Sequence, residues 1–402
     1  MRKLILLALT FTGILNANAQ WDVTTLASSA YDCLTTNGTN VFAGGKSNNV
    51  GVYTSTDNGA TWSAENTGLT YRFPWGLAAN STKVFCVGGF SGIYMSANNG
   101  GSWSLTGSSL GIYKYALAIS GSNIYAGGGG VYLSTDNGVT WTTVNTGLTN
   151  TNVESLVASG STVYAGTQGG GVFKSTNSGT SWTAINTGLP ANPEIHALAM
   201  SGSTLYAGLY TGVYKSTNGG ASWTVANNGM PPGEETLALA VSGTHVFAGG
   251  YNGIFLSTDN GANWTNIGGG FANPNFFISD VHSIAVNSSY IFVGTDDLTG
   301  DGVVYRRPLS EVSAVPNLDN NMHVSIYPNP SNGILNISTN EKMNHGEINI
   351  FNVLGEKIYT TLFNECSISL PLSSKANAIG AGIYFVKVSD GEKQFVQKVV
   401  IK

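Results

Sequence analysis

The sequence predicts an all-β protein, a seven-bladed β-propeller followed by an immunoglobulin-like β-sandwich, and three observations carry that expectation. The segment Ser55-Thr56-Asp57-Asn58-Gly59-Ala60-Thr61-Trp62 recurs with variations ending at Trp103, Trp141, Trp182, Trp223 and Trp264, at spacings of 41, 38, 41, 41 and 41 residues. Periods of that length mark repeat architectures. A second landmark, an apolar pair followed by a small residue and Gly, begins seven times, at Val41, Val84, Ile124, Val163, Leu205, Val246 and Ile291. Within one period, alternating apolar runs such as 156–158, 162–165, 171–174 and 182–185 are separated by Gly- and Asn-rich turns, which reads as the four strands of a propeller blade.

Along the chain, Arg2 and Lys3 precede an apolar stretch over 4–15 and a small-residue site at Ala17-Asn18-Ala19. This predicts a removable signal peptide over 1–19. No other stretch approaches the roughly 20 apolar residues of a membrane span, so a soluble mature chain without a transmembrane segment is expected. The propeller is placed at 20–307. Its seventh period ends near Arg307 without a Trp box, yet Trp21-Asp22-Val23-Thr24-Thr25 matches Trp141-Thr142-Thr143-Val144. The first strand is therefore expected to complete the last blade, closing the ring and removing an unpaired edge. Residues 308–322, with two prolines, read as a linker. Residues 323–402 read as the separate sandwich, from runs at 324–327, 334–337, 348–351, 358–362, 367–370, 383–388 and 394–401.

Only 10% of the residues are charged, against about 25% in an ordinary domain, so neutral hydrogen-bonding side chains must cover the surface. Between Trp21 and Arg307 there are 14 acids and 8 bases with no basic cluster, which argues against nucleic acid as a partner. The three cysteines are odd in number and far apart, unlike a disulfide framework. Cys86 occupies a slot held by Ala in five other repeats and Cys33 one held by Gly or Ala, so both read as small buried residues, with a Cys33–Cys86 disulfide as the minor alternative. No cofactor is implied, and a monomer is expected.

The repeated box resembles the Asp box, or bacterial neuraminidase repeat, Ser-x-Asp-x-Gly-x-Thr-Trp. Asp57, Asp136 and Asp259 are replaced by Asn98, Asn177 and Asn218 in the other copies. The position thus calls for a hydrogen-bond acceptor facing turn amides, not a charge. Trp62, Trp103, Trp141, Trp182, Trp223 and Trp264 would each bury about 150–250 Å², worth at most roughly 4–6 kcal/mol by area. The boxes read as structural.

At the chain end, Tyr327-Pro328-Asn329-Pro330 with Gly333, Asn352-Val353-Leu354-Gly355, Gly382-Ile383-Tyr384 and Lys398-Val399-Val400-Ile401-Lys402 resemble the type IX secretion C-terminal sorting domain. That resemblance implies a bacterium of the Bacteroidota type. It also implies the type IX machinery as partner through 323–402, removal of this domain, and an extracellular or outer-membrane surface location.

Function is sought where the repeat is broken. Aligning blades on the apolar residue of the innermost strand (Leu34, Leu77, Leu117, Leu156, Leu198, Leu239 and Ile284) puts Asp32, Trp75, Tyr115, Glu154, His196, Leu237 and His282 two residues earlier. Side chains alternate along a strand, so all seven should point the same way near the mouth of the central channel. Neighbouring blades would bring Trp75 beside Tyr115, Glu154 beside His196, and His282 beside Asp32, with Glu194, Glu235 and Asp280 close by. Aromatic faces edged by carboxylates and imidazoles suit a carbohydrate; Asp32, Trp75, Tyr115, Glu154, His196 and His282 are the candidate ligand residues.

Sialidases hold their substrate carboxylate with three arginines from separate blades. Here the propeller has only Arg72 and the adjacent Arg306 and Arg307, and Tyr71-Arg72-Phe73-Pro74 matches their Phe-Arg-Ile-Pro motif only superficially. Xyloglucan-cleaving relatives use two propellers with one catalytic Asp from each, and one is present here. For a glycoside hydrolase, the paired carboxylates could come from Glu154, Glu194, Glu235, Asp280 or Asp32; Glu154 and Asp280 are the candidates, and nothing in the sequence selects a pair. Asp297-Leu298-Thr299-Gly300-Asp301-Gly302 begins like a calcium loop, but Pro308 stands where its closing Glu belongs, and His196 and His282 find no third zinc ligand. No metal is expected. The sequence favours a binding or adhesion module, with a surface polysaccharide hydrolase or lyase as the alternative and a structural surface-layer role behind both.

Overall fold

The protein is described by a computed structural model. It covers residues 21–401 apart from 25, 27–29, 46–49, 89–91, 108–109, 111–113, 269–279, 297–301, 314–323, 328–330, 332, 340–341, 344–345, 353–355, 373–378 and 390–393. The expected signal peptide and the Asp297–Asp301 turn lie outside the described residues. The chain divides into two compact units, Met1–Ser313 and Ala314–Lys402. No helix among the described residues is long and apolar enough to cross a membrane.

In the first unit the described strands form seven four-stranded antiparallel sheets, hereafter blades 1 to 7. Their innermost strands are Tyr31–Asn37, Gly76–Ala79, Lys114–Ser120, Val153–Ser159, Ala197–Ser201, Thr236–Ser242 and Asp280–Val286. Each innermost strand contacts that of the next blade, and the seventh contacts the first, so the sheets close into a propeller ring. The second strand of each blade is buried on both faces. Val163, Tyr164 and Ala165 are an example, which accounts for the continuous apolar runs there.

The ring is closed by residues from both ends. Asp22–Val23 pairs with Val304–Pro308, Asp22 opposite Arg306 and Val23 opposite Tyr305. Trp21 is buried and donates its indole N–H to the Ile267 carbonyl of blade 6 at 2.8 Å. The box tryptophans divide into two kinds. Trp103, Trp182, Trp223 and Trp264 are buried and donate to carbonyls of the preceding blade at 2.7–2.8 Å (Glu65, Val144, Ile185 and Ala226). Trp62 and Trp141 stay half-buried and donate to their own turns, to Gly59 at 3.1 Å and Gly138 at 3.2 Å.

The connector leaving each preceding blade explains the difference. Before the four deeply buried tryptophans it reads Asn-Thr-Gly-Leu or Asn-Asn-Gly-Met, beginning at Asn66, Asn145, Asn186 and Asn227. Its second residue accepts the Trp backbone N–H at 2.8 Å. Its Asn accepts from a strand N–H at 2.7–2.9 Å (Val52, Val131, Val172, Val213). Its Gly packs so closely that a Cβ on Gly68 would stand 2.1 Å from the Trp103 carbonyl oxygen. Trp62 and Trp141 follow connectors that lack this motif.

The expectation of a linker starting at Pro308 needs correction at its first residues. Pro308 still pairs with Tyr290, and Leu309–Ser313 forms a short helix in which Val312 is fully buried and Leu309 packs against the same core. The i, i+3 spacing of Leu309 and Val312 supplies the apolar face that the prolines and polar residues masked.

Cys33 and Cys86 are buried free thiols in one core cluster between blades 1 and 2. Burial raises both, Cys86 to about 12, which keeps them protonated and weakly reactive.

The second unit is a pair of sheets. One holds Val324–Tyr327, Ile334–Thr339 and Ser367–Pro371; the other holds Lys357–Phe363, Gly346–Phe351, Gly382–Ser389 and Gln394–Ile401. Leu335, Ile337, Ile348, Ile350, Val386 and Val388 meet in the core between them.

Candidate functional site at the mouth of the ring

The boxes behave as turn locks. Asp57 accepts hydrogen bonds from the Thr61 backbone N–H at 2.8 Å, the Thr61 hydroxyl at 2.7 Å and the Ser55 hydroxyl at 2.8 Å. Those contacts, the backbone one first, hold its carboxyl down to about 2; the equivalent bonds lower Asp136 as well. At Asp259 partial burial pushes upward, but bonds from Asn263 and Ser257 outweigh it and the net shift is down. Asn98, Asn177 and Asn218 make the same backbone contact through Oδ1 at 2.9–3.0 Å and donate Nδ2 to Ser102, Ser181 and Ser222 at 2.9–3.1 Å. The side chain thus closes the turn in either form, and all its partners are internal.

The opposite ends of the strands hold a different population. The bend entering each innermost strand and the hairpin joining the second and third strands lie on the same rim. There His196 of blade 5 sits between two blades: Nδ1 is 3.4 Å from Glu154 Oε2 of blade 4, and Nε2 is 3.6 Å from Glu235 Oε1 of blade 6. His282 Nδ1 of blade 7 lies 3.9 Å from Asp32 Oδ1 of blade 1. The structure therefore brings together the Glu154–His196 and Asp32–His282 neighbours.

It also adds residues that alignment on the innermost strand did not single out. Tyr210 and Tyr251 occupy the second-to-third strand hairpins of blades 5 and 6, at a position that reads Lys46, Gly89, Gly129, Gln168 and Asp296 in the other blades. They are 51% and 47% exposed, an unusual state for two large rings on adjacent blades. The Tyr210 ring meets His196 edge-on with centroids 4.5 Å apart. Tyr210 also donates to Glu194, and Tyr251 to Glu235. The available signal was an aromatic residue inside a Gly-rich turn, in two successive repeats. Below them Glu234 is buried and accepts from the backbone N–H of Asn252 at 3.1 Å and from the Asn252 side-chain amide. This bond anchors the hairpin that carries Tyr251.

The electrostatics of the cluster are those of crowded carboxylates. Burial raises Glu235; His196 and the Tyr251 hydroxyl draw it down, while Asp280 and Glu194 push it up again. Asp280 is raised by burial, relieved by His282 and raised further by Asp296 and Glu234. Burial raises the Tyr210 and Tyr251 hydroxyls, and the neighbouring carboxylates add to it. Among the described residues no group of three or more His, Cys, Asp or Glu is arranged to hold a metal ion.

Trp75 is half-buried on the blade 2 side, its backbone N–H bonded to Val87 O at 2.8 Å. The Tyr115 side chain lies outside the described residues, so the expected Trp75–Tyr115 platform does too. Arg72 is exposed and lines a shallow groove with Ala64, Asn66, Thr67 and Thr70.

Comparison with known proteins agrees with this architecture. Residues 325–402 match the secretion system C-terminal sorting domain, residues 126–242 the DUF6242 beta propeller domain, and residues 53–64 the BNR/Asp-box repeat. The chain thus carries Asp-box repeats in a β-propeller and a sorting domain of the type IX machinery, which directs export to the cell surface or outer membrane. No curated protein matches. Among solved structures, the extracellular domain of BT4673 from B. thetaiotaomicron aligns with a TM-score of 0.59 at 16% identity, over 82% of this chain and 45% of that one. YCF48 from Cyanidioschyzon merolae aligns at 0.55 and 15%, over 73% and 99%. The GH74 xyloglucanase from Xanthomonas campestris aligns at 0.55 and 13%, over 80% and 60%. The chain spans under half the length of the first of these, and at such identities the fold is what they share.

Proposed function

We propose that the exported propeller is a binding module for carbohydrate, with its ligand site at the rim formed by blades 4 to 7 and closed by blade 1. The observation that carries this reading is the pair of half-exposed rings, Tyr210 and Tyr251, standing beside His196, Glu194, Glu235 and Asp280, with Glu154 against His196 and Asp32 against His282 on the same rim. Flat aromatic faces cover the apolar side of a sugar while carboxylates and imidazoles accept and donate to its hydroxyls. On the opposite rim, the box side chains are already satisfied within their own turns. Residues 314–322 would then separate this module from the sorting domain.

The candidate set taken from the sequence shifts accordingly. Asp32, Glu154, His196 and His282 remain, Tyr210 and Tyr251 take the aromatic role, and Trp75 and Tyr115 become a second aromatic region on blades 2 and 3. A glycan array probed with the full chain, a Tyr210→Ala, Tyr251→Ala double variant and a Trp75→Ala, Tyr115→Ala double variant tests this. Binding lost only in the first variant supports the rim; binding kept in both variants overturns it.

A second reading draws on Glu235 and Asp280, both raised above the ordinary carboxylate range chiefly by burial, which is the direction of shift that glycoside hydrolysis asks of its general acid. The xyloglucanase fold likeness is compatible with it. New reducing ends released from polysaccharide by the wild type, and lost in both Glu235→Gln and Asp280→Asn, would favour that reading over simple binding.

A further inference from the structure

We infer that His196 is a proton-dependent clasp that ties blades 4 and 6 to blade 5 at the mouth of the ring. Each ring nitrogen faces a carboxylate from a different blade, Glu154 at 3.4 Å and Glu235 at 3.6 Å. A neutral imidazole has one N–H and one lone pair, whereas an imidazolium has two N–H groups. Only the protonated ring can meet both carboxylates with a proton. In either neutral tautomer a lone pair is turned toward an acceptor, and one blade is released.

The surroundings reinforce this. Nε2 is shut off from solvent and makes no hydrogen bond, so a short movement of Glu235 toward an imidazolium would complete the contact. The His196 and Glu235 side chains are 14% and 10% exposed, and in such a setting a charge-assisted bond is worth more than at an open surface. The titratable groups around the clasp are Glu154 from blade 4, Glu194 and Tyr210 from blade 5, Glu235 and Tyr251 from blade 6, and Asp280 from blade 7 acting on Glu235. With a carboxylate at each ring nitrogen, a proton on His196 would supply the positive charge that lets Glu154 and Glu235 sit together.

Tyr210 rests edge-on against the same imidazole, so release of the clasp also frees one wall of the rim. As regulation of a ligand site this rests on the binding reading above; the clasp itself is read without any ligand. Hydrogen exchange of the full chain, corrected for intrinsic rates, is followed from pH 5 to 8, the interval in which imidazoles titrate. The segments observed are 152–156, 193–198 and 233–237.

In the wild type, protection of all three segments should fall by about threefold to fivefold as the pH rises, the range a modest ion pair confers. In His196→Gln it should be flat. Glu154→Gln, which keeps the histidine, should retain the change at 233–237 and lose it at 152–156. A wild-type protection that does not vary with pH, or one that varies equally in Glu154→Gln at both segments, overturns the clasp. A persistent pH response with no glycan bound would overturn the binding reading alone, and glycan binding without the pH response would overturn the clasp alone.

Discussion

The indole N–H of Trp264 crosses from its own box to the carbonyl of Ala226 in the preceding blade, 2.7 Å away. Trp264→Phe keeps most of the ring but leaves that carbonyl without its donor, an expected loss of about 1–3 kcal/mol. Trp62→Phe breaks only a 3.1 Å bond within its own half-buried turn and should cost less than about 1 kcal/mol. Urea unfolding of both variants checks the ranking; equal losses would mean that the inter-blade bond carries no special weight.

Gly68 combines a φ of +83° with a Trp103 carbonyl oxygen 2.1 Å from where a Cβ would sit. Gly68→Ala should therefore destabilise by roughly 2–4 kcal/mol, from αL strain and a backbone clash together. Gly38, at φ +63° with open space around it, should lose only about 1 kcal/mol on the same change. Thermal denaturation of the pair separates the clash from the conformational cost.

Asp57→Asn should change stability at pH 7 by no more than about 0.5 kcal/mol, since Asn98, Asn177 and Asn218 already close the same turn. Its acid limb has a definite sign. A carboxyl near 2 when folded and about 3.9 when unfolded contributes stability that is complete above pH 4 and lost as the pH falls through 2. Solvent screening keeps this contribution small. The variant should lack that limb in an acid titration followed by circular dichroism, and a loss of several kcal/mol at neutral pH would show that the charge itself matters.

Asp280 is shifted in the other direction, raised by burial and by Asp296 and Glu234. Folding then favours its protonated form, so its contribution is present below the ordinary carboxylate range and lost as the pH rises through the raised value. Asp280→Asn mimics the protonated state and should hold or slightly raise the melting temperature at pH 7, with little effect at pH 4. A lowered melting temperature at pH 7 would assign its charge a supporting role, most simply toward His282.

The sorting domain resemblance implies processing, and Val312 lies in the propeller core. The secreted form should therefore end after Ser313 and before residue 324. Intact-mass measurement of culture supernatant decides this; a species retaining Lys402 would remove the cleavage expectation.

Much of this was legible because the repeat is so regular. A Trp returning every 38 to 41 residues announces a blade, and alignment on Leu156 and Leu198 was enough to set Glu154 beside His196. The connector Asn-Thr-Gly was not read, although it recurs, because its role depends on a carbonyl contact to a Trp some 35 residues later. Tyr210 and Tyr251 were missed because attention to strand alternation passes over hairpin turns, and an exposed Tyr has no periodic partner. The helix at 309–313 was obscured by the proline before it, which marks a boundary in sequence but here ends a strand.

The pairing of Asp22 with Arg306 is also what keeps the ring shut. Contacts this remote along the chain close the longest loop, at the greatest entropic cost. Without them the propeller would be an open arc of six four-stranded blades and a three-stranded seventh, its Val304–Pro308 edge bare. Such an arc can still widen, and its edge can recruit a strand from another copy. Once Trp21 and the two residues after it dock, the arc becomes a hoop, in which no blade can separate from its neighbour without stretching all the others.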